Sequence, residues 1–122
     1  MRFMTIVRSA ERAGPPPKAL MDAIANLGME ATQAGVLVEV GGLTPSAKGG
    51  RVRIEKGKIY VHDGPFAESK EVIGGFAVYD LSSKDEAMTY ATKFMELHLM
   101  LWPGWEGEAE VRQMYGPNEF PS

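Results

Sequence analysis

The apolar residues of this chain follow two rhythms, and each switch between them marks an element. Over Phe3–Val7 they occupy both parities, Phe3 and Val7 on one and Met4 and Ile6 on the other. This predicts a strand covered on both faces. Pro15, Pro16 and Pro17 close the next loop. Proline fits a helix's first turn, so a helix is expected from about Pro16 or Pro17. Leu20, Ile24, Leu27 and Ala31 then recur at helical spacing as one apolar stripe. Gly28 weakens that helix by about 1 kcal/mol relative to alanine. Gly35 suits its end, because glycine takes positive φ without strain.

Val36–Val40 is a short β-rich run ended by Gly41 and Gly42, and Thr44–Gly50 is a loop. Arg51–Glu55 and Lys58–His62 predict a hairpin around Lys56–Gly57, with Val52 and Ile54 opposite to Arg51, Arg53 and Glu55. Gly75–Leu81 reads as another strand. Ser83 and Glu86 have capping-box spacing, the serine accepting from the Glu86 N–H and the glutamate reaching back. The helix they open carries Ala87, Ala91, Phe94 and His98 on one face, until Trp102-Pro-Gly-Trp105 stops it. Ala109–Tyr115 is a last strand, before a polar tail.

The order is therefore β-α-β-hairpin-β-α-β, one domain over residues 1–122. It is an α+β, ferredoxin-like split βαβ pattern with an inserted hairpin. Two helices cover one face of such a sheet. Apolar side chains on the other face call for a second copy packed sheet to sheet, a twofold homodimer.

Composition narrows the function classes. With 44% hydrophobic and 24% charged residues and a net charge of −3, the chain is an ordinary globule with no basic patch for nucleic acid. It has no cysteine, which removes disulfides, thiolate catalysis and cysteine-bound zinc and fits a cytoplasmic location. No leader and no apolar run of about 20 residues argue for a membrane. His62 and His98 are the only histidines, so a His-rich metal site is excluded. No G-x-G-x-x-G or P-loop lysine occurs, and no cofactor is expected.

The densest candidate chemistry lies between His62 and Phe76. Asp63, Glu68, Lys70 and Glu71 are charged, and Gly64, Pro65, Gly74 and Gly75 shape backbone between Phe66 and Phe76. Two readings stand side by side. In one, Asp63-Gly-Pro is a turn and Phe66 pins a rigid corner. In the other, the corner holds Asp63, Glu68 and Lys70 at a cleft rim, where a carboxylate beside a lysine could transfer protons. Gly74 and Gly75 read either as a bulge or as backbone closely approached by a ligand. His98, on an apolar helix face, is either a hydrogen-bonded core residue or a base oriented by a carboxylate such as Asp63. Arg51, Arg53 and Arg112 could hold an anion or pair with cross-strand Glu55 and Glu110. Trp102 and Trp105 cap the core edge or form an aromatic lid.

Several of these residues together resemble a known family. Asp63-Gly-Pro-Phe66, Glu68, Lys70-Glu71, Gly74-Gly-Phe76 and Asp85-Glu-Ala87 are similar to the signature of the DGPF, or YCII-related, family. Ala34-Gly35-Val36, Gly42-Leu43 and Glu110-Val-Arg112 also fit. The resemblance implies a dimeric α/β barrel of ferredoxin-like protomers, a bacterial source, and in some members an association with extracytoplasmic-function sigma factors. In the wider family a His–Asp pair is the suspected site, with its histidine in the first helix. Residues 16–34 here contain no histidine, so a pair of His98 with Asp63 would be a different arrangement.

The resulting expectation is a small dimeric protein that binds a small anionic or aromatic molecule between sheet and helices, with possible acid–base chemistry. Asp63, His98, Glu68 and Lys70 are its candidate catalytic residues, and Arg53, Phe66, Gly74 and Gly75 its candidate binding residues. The alternative is an interaction module for a sigma factor or other transcription machinery, with no chemistry of its own.

Overall fold

The computed structural model describes residues 1–11, 15–66 and 71–119. Its elements are β1 (Arg2–Ser9), α1 (Lys18–Gln33), β2 (Leu37–Gly42), a 3₁₀ turn (Ser46–Lys48), β3 (Gly50–Glu55), β4 (Lys58–Asp63), β5 (Val72–Asp80), α2 (Lys84–Leu101) and β6 (Gly107–Gln113). Four strands form one antiparallel sheet in the order β2-β5-β1-β6, and β3 and β4 form a separate two-stranded arm. With the arm set aside, the two central strands are the first and third of a split βαβ unit. The ferredoxin-like α+β pattern is thus present.

The strand alternation decides which residues meet the helices. Phe3, Thr5 and Val7 of β1 pair with Tyr79, Ala77 and Gly75 of β5, so these six share one face of the sheet. Phe3 and Thr5 are buried there, and Phe3, Ala31, Tyr79, Leu81 and Ala87 form the core. Each fully buried large apolar side chain contributes about 1.5–3 kcal/mol. The core is small, and its apolar stripe on α1 is anchored by Leu20 and Ala31, both fully buried.

The helix ends follow local chemistry. Pro17 precedes α1, and its carbonyl accepts the Met21 N–H at 3.1 Å. At the other end Gly35 takes φ of +75°, and the N–H groups of Gly35 and Val36 return to the Thr32 and Ala31 carbonyls. Ser83 caps α2 by accepting the Glu86 N–H at 3.2 Å. The expected return bond is different: the Glu86 carboxylate accepts from the Ser82 hydroxyl.

Two further details differ from the sequence reading. β5 starts at Val72, so Gly74 and Gly75 lie inside the strand and not at its start. The Arg–Glu pairs of the strands run along one strand, Arg53 to Glu55 and Arg112 to Glu110, each at 3.2 Å, because residues two apart share a face. The cross-strand partner of Glu110 is Arg8, at 2.6 Å.

The arm has two unlike faces. Val52 and Ile54 pair with Val61 and Ile59, and these four side chains are 69–77% exposed. Arg51, Arg53 and Glu55 lie opposite His62, Tyr60 and Lys58 on the other face.

Candidate functional site

The helices do not close on the sheet along its whole length. Between them lies a cavity of about 990 Å³, open at the edge where β2 ends and β5 begins. Ile24, Leu27 and Gly28 of α1 form one wall, and Phe94 and His98 of α2 form the other. Thr5, Val7, Ala77 and Tyr79 make the floor. At the mouth stand Glu11, Ser46, Phe66, Glu71 and Arg51.

His98 is buried at 6% exposure. Its Nδ1 lies 2.9 Å from the Phe94 carbonyl oxygen, one helical turn back. A carbonyl can only accept, so Nδ1 carries the proton and Nε2 of the neutral ring is left as an acceptor. Among the described residues the ring's one hydrogen bond is this one, at Nδ1. The ring lies 4.5 Å from that of Phe94 and 4.4 Å from that of Trp105, with Trp102 at 6.4 Å. The tryptophans thus line the cavity instead of simply closing the core edge.

Thr5 supplies a second polar atom. It is 4% exposed, and among the described residues its hydroxyl finds no partner. Such a group lacks a bond worth about 1–3 kcal/mol to a buried hydroxyl. A threonine within the apolar run Phe3–Val7 was the available signal for it. Nearby, Tyr79 stacks on Tyr90 with ring centroids 4.8 Å apart. Burial, with Tyr90 adding to it, pushes the Tyr79 phenol above its ordinary range.

The mouth is tied together by Ser46. Its N–H donates to the Glu11 carboxylate at 3.1 and 3.3 Å, and its hydroxyl donates to the same carboxylate, at 2.7 Å to Oε2. That hydroxyl also accepts the Phe66 N–H at 3.2 Å. Gly64 packs on the same turn and donates to the Gly49 carbonyl at 3.0 Å. The Arg51 guanidinium lies 3.8 Å over the Phe66 ring. Neither Glu11 nor Ser46 is visible as a site residue in the sequence, since they act across 35 positions.

The expected site residues are distributed unevenly around this cavity. His98, Phe66, Gly74 and Gly75 border it. Gly74 falls where the β1–β5 register slips by one residue, and a Cβ on Gly75 would lie 2.9 Å from the Gly41 carbonyl oxygen. Backbone packing thus accounts for Gly75, whereas a Cβ on Gly74 would meet nothing closer than the Val7 carbonyl oxygen at 4.0 Å. Asp63 is exposed at the end of β4 and does not line the cavity. Arg53 sits on the arm, in a shallower hollow with Glu55, Tyr60 and His62, and is paired with Glu55. Glu68 and Lys70 lie outside the described residues. Among the described residues no three His, Asp or Glu side chains group as a metal set, and no helix is long and apolar enough to cross a membrane.

Comparison with known proteins adds the family. The model of the YCII-related domain matches residues 1–94. A relative from Rhizobium meliloti (strain 1021), an uncharacterized protein, is 37% identical over 92 residues, which are 74% of this chain and 70% of the relative. The match covers the floor of the cavity, α1, the arm and most of α2, and on it this chain belongs to the YCII-related family.

Proposed function

We propose that this chain binds a small aromatic or anionic molecule in the cavity between its sheet and its helices, and that it does so as a homodimer. The observation that carries the binding reading is the cavity itself. About 990 Å³ lies within the range of pockets that hold small ligands, and it combines mostly apolar walls with a few polar atoms. The imidazole of His98 supplies such atoms. Acid–base turnover would use His98 as its base, with Asp63 as the expected orienting carboxylate. That form requires Asp63 to approach a cavity it does not line.

The test is a screen of small aromatics and aromatic acids by thermal shift and calorimetry. Ile24→Trp fills the cavity from α1, and is expected to abolish binding while circular dichroism stays that of the parent. Binding that survives Ile24→Trp would place the ligand elsewhere. For the catalytic form, any activity found must fall with both His98→Ala and Asp63→Asn.

The homodimer is supported by apolar surface. Met4, Ile6 and Phe76 share the sheet face turned away from the helices, and the arm exposes Val52, Ile54, Ile59 and Val61. Contiguous apolar surface of this kind marks an interaction site. The same arm supports a second reading, an interaction module for a sigma factor or other transcription machinery. Sedimentation distinguishes the two: a dimer that dissociates on Val52→Asp supports the first, whereas a lone wild-type protomer at micromolar concentration leaves the arm for a different protein.

A further inference from the structure

Resting on the binding reading above, we propose that the ligand class is a neutral hydroxyaromatic compound, whose O–H donates to Nε2 of His98.

Three observations select this class. The first is the direction of the hydrogen bond. The Phe94 carbonyl fixes the proton on Nδ1 of His98, so the neutral ring offers the cavity a lone pair and not an N–H. A carboxylate or phosphate would bring a second acceptor to that atom, whereas a phenol brings a donor.

The second is charge. The described residues that line the cavity include Arg8, Arg51, Glu11 and Glu71, two charges of each sign, and no lysine. Arg8 is held by Glu110 at 2.6 Å, and Arg51 lies over Phe66. The Glu11 carboxylate is taken by Ser46. Among the described residues no surplus of positive charge is offered to an anion. A charged ligand pushed past these groups would be desolvated without a counter-charge, which is costly.

The third is the shape of the walls. Phe94, Trp102 and Trp105 surround His98, and the Tyr79–Tyr90 stack lies beside the floor. Aromatic rings contribute both area and preferred offset or edge geometries, so a flat ring is the ligand body they favour.

The experiment compares three probes of one ring system, 2-naphthol, 2-methoxynaphthalene and 2-naphthoate, by titration calorimetry on the full chain. We expect 2-naphthol to bind about tenfold more tightly than its methyl ether, the value of one hydrogen bond to a buried acceptor, and 2-naphthoate to bind least. His98→Phe should erase the preference for naphthol over the ether. On the wild-type protein, the ¹⁵N resonance of His98 Nε2 should shift when naphthol is added and stay in place when the ether is added. That measurement keeps the test open should His98→Phe fail to fold, and an Nε2 resonance unmoved by naphthol would overturn the proposal. Tighter binding of 2-naphthoate, or a naphthol preference that survives His98→Phe, would overturn the hydroxyaromatic class while leaving a ligand cavity. Absence of binding by all three at their solubility limits would remove the cavity reading as well.

Discussion

A Cβ placed on Gly64 would lie 1.7 Å from the carbonyl oxygen of Ser46 and 2.6 Å from its carbonyl carbon. The Asp-Gly-Pro-Phe corner and the 3₁₀ turn thus meet backbone to backbone. Glycine is required at position 64 by this close approach, not by a positive φ. The contact is also where the corner gains its position at the cavity mouth, because Ser46 holds Phe66 on one side and Glu11 on the other.

Gly64→Ala should therefore be strongly destabilising, by about 3 kcal/mol or more, since backbone atoms must move to admit the methyl group. Gly49→Ala is the control. Its new Cβ would meet the Ser46 carbonyl oxygen at 3.6 Å and Phe66 at 3.9 Å, ordinary contact distances, and its backbone is extended at φ −109°. Urea unfolding of both should separate them. Equal stabilities would contradict the packing described here.

Ser46→Ala removes the hydroxyl's donation to Glu11, keeps that of the backbone N–H, and leaves the Phe66 N–H without its acceptor. A loss of about 1–2 kcal/mol is expected. Because the residues share one network, Ser46→Ala and Glu11→Ala should not be additive. A double-mutant cycle by chemical denaturation should return a coupling of about 0.5 kcal/mol or more. A strictly additive pair would mean that the contact contributes nothing.

Ser83→Ala tests the start of α2. The serine is the only side chain accepting from the Glu86 N–H among the described residues, and the loss of such a cap costs about 1 kcal/mol. Ser83→Asp, which restores an acceptor, should recover most of it. The thermal midpoint of each variant reports the result.

Glu110 predicts a pH dependence. Its hydrogen bonds from Arg8 and then Arg112 hold its carboxyl below the ordinary glutamate range, against a smaller opposing effect of burial. A carboxyl depressed in the folded state contributes stability that is present above its unfolded pKa and is lost as pH falls through the folded value. Acid unfolding curves of the wild type and Glu110→Gln should thus diverge above about pH 4 and converge below it. The gap should shrink at high salt, because the group is partly exposed and therefore screened. Parallel curves across that window would show that the pairing is energetically silent.

The sequence already held the element order, the split βαβ pattern and the helix caps, because each depends on side chains within a few positions of one another. Leu20 with Ala31 sets the α1 stripe, Gly35 its end, and Ser83 the start of α2. It also marked His98 and Phe66 by type. What it could not hold was their neighbourhood. Asp63 and His98 are equally plausible members of a pair on paper, yet only His98 lines the cavity. Glu11, Ser46 and Phe66 come together from three separate loops, and Thr5 acquires an unmet hydroxyl only when two helices close over β1. Those relationships depend on which distant segments pack together, and packing is decided by the whole core. Local pattern therefore determined the parts of this protein, and tertiary burial decided which of its polar atoms could have a use.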